Sequence, residues 1–166
     1  MDEFHSIFEI DSRHHILICR CCQYAVIPSH VKTHLITHHK RLGIQRRADF
    51  VSKVERSTEL AKIHADVVYP SSTEPPITSL PLFFDGLRCN GIGTRGGRCT
   101  YVSRTLYRMQ EHCKKDHRWV NQQKRGGDSR KKQIHTQNKI WTENHACQRF
   151  FKVSTWQRYF EVARQD

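Results

Sequence analysis

Apolar residues occur along the chain in short groups that are separated by polar and proline-rich stretches. The apolar run 16–18 predicts a short strand that leads directly into Cys19. Between residues 48 and 64, apolar side chains recur mostly at spacings of three and four, which is typical of a helix. The stretch 69–81 contains four prolines in thirteen positions and can sustain neither a helix nor a central strand. This pattern predicts a helical spacer over 41–68, followed by an extended connector.

The last apolar group is rich in aromatic side chains, namely Phe150, Phe151, Trp156, Tyr159 and Phe160, with Val153 between them. Their spacings of three and four predict an amphipathic helix or a pair of helices that follows a basic tail, together covering 119–166. Aromatic side chains at such spacing more often belong to a core or a partner interface than to a surface on which bases stack. We therefore expect this segment to be helical, and a zinc-stabilised protein-interaction module that uses it as a docking surface is the alternative function.

A metal-binding motif begins where the first predicted strand ends. Two residues separate its cysteines, eleven separate the second cysteine from the first histidine, and three separate the two histidines. The four positions are Cys19, Cys22, His34 and His38. One tight turn can bring both thiolates to a single ion, and the two imidazoles lie about one turn apart on the same helix face. His39 is the alternative fourth ligand, because zinc fingers also tolerate a gap of four residues. The motif predicts a ββα zinc finger over 13–40.

A second cluster with metal-ligand spacing lies further along the chain. Nine residues separate its cysteines, twelve separate the second cysteine from the first histidine, and four separate the two histidines. The four positions are Cys89, Cys99, His112 and His117. The gap between the cysteines is wide for a finger, but the glycines at 91, 93, 96 and 97 would let the enlarged loop fold back to the ion. The alternatives are that Cys113 or water replaces Cys89, or that the site has been lost. A second finger is predicted over 82–118.

Both ligand sets favour a structural role for zinc. Two thiolates and two neutral imidazoles complete a tetrahedron and leave no open position for water or substrate. Closed sites of this kind contribute free energy of folding, about 10–16 kcal/mol in isolated finger peptides. The signatures of zinc deaminases, His-Glu-x-x-His proteases, Walker phosphate loops and Gly-x-Ser-x-Gly hydrolases are absent from the sequence. We expect a small, non-enzymatic α+β protein with two separated zinc fingers, a helical spacer, a basic helical C-terminal segment and no small-molecule substrate.

Composition adds an expectation about partners and location. Apolar residues make up only 37% of the 166 residues and the mean hydropathy is −0.72, which argues against a large apolar core. The sequence shows neither a secretory leader nor an apolar run near the about 18 residues of a membrane span. Its seven cysteines and twelve histidines therefore favour metal binding in a reducing compartment over disulfides. The net charge of +12 favours a phosphate-backbone partner, which predicts DNA, with RNA as the alternative, in the nucleus and no membrane.

DNA-reading fingers present helix positions −1, 3 and 6 to the bases. In the second finger these positions hold Thr105, Arg108 and Glu111, where arginine suits guanine and glutamate suits cytosine. In the first finger they hold Ile27, His30 and Thr33, which include no arginine. Phosphate contacts are expected from Arg104, Lys114, Lys115, Arg118, Lys124, Arg125, Arg130, Lys131 and Lys132. Because 66 residues lie between His38 and Thr105, we expect DNA binding of low specificity rather than a long recognition site.

Four segments of the chain resemble a known family. They read LICRCCQYAVIPSHVKTHL, EPPITSLPLFFDGLRC, CTYVSRTLYRMQEHCKKDH and QRFFKVSTWQRYFEV. In this order they are similar to the fungal zinc-finger domain named for orsellinic acid biosynthesis cluster protein D. The resemblance implies finger-like metal roles for both Cys/His clusters, although the long loop between Cys89 and Cys99 departs from the family pattern. Because family members often stand at the front of longer chains, the alternative is that this chain is the N-terminal part of a helicase-like or mobile-element-type protein.

Overall fold

The computed structural model describes residues 2–122, 138–152 and 155–165. Within these ranges the N-terminal elements are α1 (Glu3–Ile7), β1 (Phe8–Asp11), β2 (Ile16–Cys19), β3 (Tyr24–Val26), α2 (Val31–His38) and α3 (Ile44–Glu55). The later elements are β4 (Phe83–Cys89), β5 (Val102–Ser103), α4 (Leu106–His117), β6 (Trp141–Arg149) and β7 (Tyr159–Glu161). Single 3₁₀ turns occur at Pro28–His30 and His64–Asp66. The small α+β class predicted from the sequence is confirmed.

The first three strands form an antiparallel sheet with β2 in its centre. All four residues of β2 are buried, because both faces of the strand are covered. Leu17 and Cys19 belong to a core with the helices α1, α2 and α3, whereas Ile16 and Ile18 belong to a core with the C-terminal strands. Burial on both faces explains why β2 is a continuous apolar run and does not alternate with polar residues.

The N-terminal core holds α2 against the sheet. Its centre is an aromatic group in which the Phe4 ring lies 5.4 Å from that of Phe8 and 5.3 Å from that of Phe50. Val31 and Leu35 of α2 are completely buried against this group and the sheet. This packing places the histidines of α2 beside the end of β2.

The remaining four strands close into a barrel in the order β4-β5-β7-β6. Closure depends on β7, which pairs with both β5 and β6. The register between β4 and β6 is irregular around Gly86, where an added Cβ would lie 2.7 Å from the carbonyl oxygen of His145. This close approach of two backbones requires glycine. Helix α4 follows β5 directly and buries Met109 and Cys113 against the barrel.

A shared core connects the sheet to the barrel. It contains Ile16, Ile18, Ala25 and Ile27 from the N-terminal half and Ala146, Phe150, Phe151, Phe160 and Val162 from the C-terminal half. The backbone N–H of Ala25 also donates to the carbonyl of Phe150 at 2.7 Å. The fully buried amide of Gln148 accepts from the N–H of Ile77 at 2.8 Å and donates to the carbonyls of Ile77 and Leu80 at 2.9 and 3.1 Å. Gln148 thereby fixes the proline-rich connector to the barrel.

Two parts of the predicted architecture are wrong. The helix predicted for the C-terminal segment is absent from its described residues, which contain β6 and β7 instead. Its aromatic spacing arises where the chain leaves β6 at Phe150 and Phe151 and returns through β7 at Phe160, and all three side chains fill the shared core. The two predicted fingers are not separate units either, because the strands of each belong to a larger sheet and the two sheets share that core.

Two consecutive segments, 41–68 and 69–81, connect the three-stranded sheet to the barrel along the chain. Helix α3 occupies the first part of the segment 41–68, for which the sequence predicts a helical spacer, and the rest contains only one 3₁₀ turn. The connector 69–81 contains no helix or strand. Among the described residues, no helix combines the length and the apolar character that crossing a membrane requires.

Candidate metal centres

The first cluster lies where β2 turns into β3. Cys19 ends β2 and Cys22 lies in the turn, which is completed by Gln23 with a positive φ of 57°. His34 lies within α2 and His39 directly follows the end of this helix. One donor atom from each cysteine and histidine lies within 4.8 Å of the others.

His39 takes the place in this cluster that the sequence analysis gave to His38. Nε2 of His39 lies 3.3 Å from Sγ of Cys19, whereas Nε2 of His38 lies 3.3 Å from the hydroxyl of Tyr24. Helix α2 ends at His38, and the non-helical backbone of His39 (φ −122°, ψ 51°) takes its side chain out of the helical series. The alternative with four intervening residues is therefore the arrangement in the structure.

Burial disfavours the charged forms of the side chains in the first cluster. Within the described ranges, Nε2 of His34 is buried without a hydrogen-bond partner, while its Nδ1 lies 3.4 Å from the hydroxyl of Tyr24. Burial, aided by the neighbouring His38 and His39, lowers the pKa of His34 to about 4. Burial also raises the pKa of the Cys19 thiol to about 12. A bound cation would give the imidazole nitrogen its missing partner and stabilise the thiolate.

The second cluster is built from the end of β4, the loop before β5 and the helix α4, which contribute Cys89, Cys99, His112 and His117. One donor atom from each of these residues also lies within 4.8 Å of the others. Cys113, the alternative to Cys89, lies outside this group and its thiol lies 3.7 Å from the sulfur of Met109. The structure thus brings together the four residues that the sequence analysis selected for this site.

Two neighbours hold His112 in a defined orientation. Its Nδ1 lies 2.8 Å from Oδ2 of Asp116, and its Nε2 lies 3.3 Å from Sγ of Cys99. The ring of Tyr101 stacks on the imidazole with 3.9 Å between ring centroids. Burial lowers the pKa of His112, although Asp116 acts in the opposite direction. A carboxylate on Nδ1 fixes the tautomer that presents Nε2 to a metal ion.

The glycine-rich loop folds back on the second cluster. The N–H of Cys99 donates to the carbonyl of Gly91 at 2.9 Å, and the N–H of Gly93 donates to that of Gly97 at 2.6 Å. A Cβ added at Gly91 would lie 2.6 Å from the ring of His117, so a larger residue would displace this ligand. Nε2 of His117 is buried and has no hydrogen-bond partner in the described part of the chain.

Both donor sets therefore suit a metal ion. Each provides two sulfur atoms and two imidazole nitrogens, the combination found in structural zinc sites. The unpartnered, buried Nε2 atoms of His34 and His117 are the specific features that an ion would satisfy. Because a tetrahedral ion would use all four donors, such a centre would stabilise the fold and offer no position for a substrate.

The predicted nucleic-acid contacts lie partly on α4. Its exposed side carries Arg108, Glu111, Lys114, Lys115 and, at the C-cap, Arg118. Thr105 is the N-cap residue of the helix. Arg104 donates to the carboxylate of Asp85 at 2.6 and 2.9 Å, and Lys114 donates to Glu111 at 2.8 Å. The predicted tail contacts Lys124, Arg125, Arg130, Lys131 and Lys132 lie outside the described residues.

Fold and site together define a small α+β protein with two four-donor Cys/His centres that can hold metal ions. Comparison with known families places it more closely. The chain belongs to the family described as Orsellinic acid/F9775 biosynthesis cluster protein D, whose model matches residues 6–118. This range contains every residue of both centres, whereas β6 and β7 lie beyond it. The family resemblance is confirmed, and the last of the four segments that suggested it, residues 148–162, lies beyond the matched range.

A relative of the same description comes from Emericella nidulans and is 34% identical over 112 residues. The aligned part is 67% of this chain but only 20% of the relative, so the chain spans about a fifth of the relative's length. No solved structure matches the chain.

Proposed function

We propose that this protein is a non-catalytic module that is stabilised by two zinc ions and binds DNA with low sequence specificity. The observation that carries the proposal is the two-sided character of α4. Its inner side supplies His112 and His117 to the second centre, and its exposed side carries the cations Arg108 and Lys115, followed by Arg118. Zinc in this centre would fix the cationic side of the helix relative to the barrel.

The charge of the whole chain supports a polyanionic partner. A net charge of +12 attracts phosphate backbones over long distances, and each cation that neutralises a phosphate releases a counterion. DNA as the partner also implies a nuclear location. Because RNA offers the same phosphates, it is the alternative partner.

The surroundings of the candidate base-reading residues favour low specificity. Ile27, at position −1 of the first helix, is buried in the shared core and cannot reach a base. Glu111, at position 6 of the second, would have to leave Lys114 before it could accept from cytosine. Arg108 is exposed, and its Nη1 donates to the side-chain oxygen of Gln157 at 3.4 Å. Phosphate contacts, which are the same for every sequence, would therefore dominate the affinity.

The test is to measure, by fluorescence anisotropy, how the affinity of the zinc-loaded protein for duplex DNA depends on salt concentration. Arg108→Gln and Lys115→Gln are each expected to weaken binding and to reduce the slope of log affinity against log salt by about 1. Arg56→Gln removes an exposed cation at the end of α3 and is the matched control. Absence of binding at low salt, or an equal change in the control, would reject the role of α4.

A protein-interaction module is the second candidate, but not through the predicted aromatic surface. Phe150, Phe151 and Phe160 are at most 4% exposed, so they cannot form a docking surface. Trp156 packs, partly buried, against the same core.

The observation that favours this candidate is an apolar groove of about 440 Å³ between α2 and α3. Ile36 and Ile44 line it and are 48% and 81% exposed, and its charged lining residues are Lys32, Arg47 and Glu55, which leave it with a net positive charge. This combination suits an amphipathic helix with acidic residues. Titration with such a peptide should move the NMR signals of α2 and α3, and Ile44→Asp should abolish the effect; unchanged signals would reject the groove as a binding site.

A further inference from the structure

A cleft of about 370 Å³ lies between the proline-rich connector, the loop before β5 and the strands β4 and β7. Its walls include three guanidinium groups and three hydroxyl groups, from Arg88, Arg98, Arg158, Ser71, Ser72 and Thr100. We call this region the arginine cleft. The candidate metal ligand Cys99 and the carboxylate of Glu161 also line the cleft, whereas none of its lining residues lies on α4.

Among the described residues, one of the three arginines, Arg88, is neutralised by a carboxylate. Nη1 of Arg88 lies 3.1 Å from Oε1 of Glu161, which also lies 2.9 Å from Nδ1 of His145. The Nε–H of Arg88 is buried and finds no acceptor among the described residues. In the same described ranges, neither Arg98 nor Arg158 has a carboxylate within ion-pair distance. The cleft therefore retains two positive charges and one buried donor without an acceptor.

Arg158 is held in place by its neighbours. Its guanidinium carbon lies 4.5 Å from the centre of the Tyr69 ring, and its Nη2 donates to Oγ1 of Thr100 at 3.4 Å. The Tyr69 ring in turn stacks on the buried ring of Phe150 at 5.1 Å. A cation that is anchored in this way loses little conformational freedom when it binds a ligand.

We propose that the arginine cleft binds a phosphate monoester group. Guanidinium groups bind phosphate oxygens through paired N–H donors, and hydroxyl groups donate to the remaining oxygens. The two unneutralised cations, Arg98 and Arg158, match the charge of about −1.5 to −2 that such a phosphate has at neutral pH. The cleft is within the size range of small-molecule sites, so it also has room for part of the group that carries the phosphate. This site is separate from the DNA contacts proposed for α4.

Calorimetric titration of the full, zinc-loaded chain tests the proposal, with inorganic phosphate, adenosine 5′-monophosphate and adenosine at constant ionic strength. Arg98→Gln and Arg158→Gln are each expected to weaken phosphate binding about tenfold. Arg56→Gln, which removes one exposed cation far along the sequence from the cleft, is expected to bind like the unchanged protein. Zinc content should stay unchanged in all three variants, because none of the replaced side chains is a candidate metal ligand.

Equal affinity for phosphate and the nucleotide supports recognition of the phosphate group alone, and tighter binding of the nucleotide supports the same site with an added nucleoside contact. Binding of adenosine without binding of phosphate would overturn the proposal, and so would the absence of saturable phosphate binding. An equal loss in Arg56→Gln would also overturn it, because the effect would then come from the overall positive charge. DNA binding by the Arg98 and Arg158 variants is scored separately, so that failure here leaves the proposal for α4 unaffected.

Discussion

Nδ1 of His112 lies 2.8 Å from the carboxylate of Asp116, one turn further along the same helix. Because both residues lie on α4 with i,i+4 spacing, the pair forms without help from a distant element. The other nitrogen of the imidazole then faces Sγ of Cys99 at 3.3 Å. Asp116 thus orients a candidate metal ligand and is not a member of the four-donor group.

Asp116→Ala should lower the zinc affinity of the second centre about 10- to 100-fold, because His112 loses the partner that fixes its tautomer. Competition with a chromophoric zinc chelator measures the change, and the first centre serves as an internal reference. Glu111→Ala removes another carboxylate of α4, whose partner is Lys114, and should leave both affinities unchanged. Equal affinities in the Asp116 variant and the unchanged protein would show that the ion pair has no role in metal binding.

His39→Ala should remove one zinc ion per chain, whereas His38→Ala should retain both. The reason is the position of the two rings, since His39 lies beside Cys19 and His38 beside the Tyr24 hydroxyl. Elemental analysis of the purified variants measures zinc per chain directly. The opposite result, with loss only in the His38 variant, would restore the ligand set with three intervening residues.

Gly91→Ala should destabilise the second centre, whereas Gly97→Ala should be tolerated. An added Cβ would lie 2.6 Å from the His117 ring at Gly91 but would meet nothing within 4 Å at Gly97. We expect Gly91→Ala to lower the free energy of unfolding by about 1–3 kcal/mol, as overpacking commonly does, and to reduce zinc occupancy. Denaturant unfolding and elemental analysis provide the two measurements. Similar behaviour of the two alanine variants would mean that His117 can move without cost.

His64 should make the stability depend on pH. Its Nε2 lies 2.8 Å from the Tyr69 hydroxyl and its ring stacks on Trp156, and burial, followed by the charge of Arg158, lowers the pKa of His64. The unfolded chain, with a histidine pKa of about 6.5, therefore binds more protons just below that pH, and the free energy of unfolding falls as the pH drops through it.

The measurement is the free energy of unfolding of zinc-loaded protein from about pH 8 to about pH 5.5, the interval in which histidine titrates. His64→Gln should show a shallower fall, because glutamine can still bond the Tyr69 hydroxyl but cannot titrate. His30→Gln, which replaces an exposed histidine, is the control whose slope is compared with that of His64→Gln. If His64→Gln gave the same slope as this control, proton binding at His64 would not contribute.

The first centre could be predicted largely from local spacing, because Cys19 and Cys22 share one turn and His34 lies on the helix that follows. The choice of His39 could not be made from helical spacing, because it depends on where α2 ends. A signal did exist in the second motif, since four residues lie between its two histidines, as between His34 and His39. Agreement between the two motifs would have favoured His39.

The barrel could not be predicted from local patterns. Its closure depends on the pairing of β4 with β6, in which Phe83 lies opposite Cys147, and no period in the sequence records a contact at this separation. The aromatic residues around Phe150 and Phe160 have spacings that fit a helix, but the chain reverses direction between them. Tertiary contacts thus decided the structure of the segment whose local pattern was ambiguous.

The two covered faces of β2 set this protein apart from arrays of tandem fingers, in which each unit is an exchangeable cassette. One face of the strand completes the interior of the N-terminal half and the other face, with Ile16 and Ile18, completes that of the C-terminal half. If the first metal motif alone were grafted into another protein, these two apolar side chains would be exposed to solvent. The smallest transferable piece is therefore the whole stretch from α1 to β7, which is longer than either motif by which it is recognised.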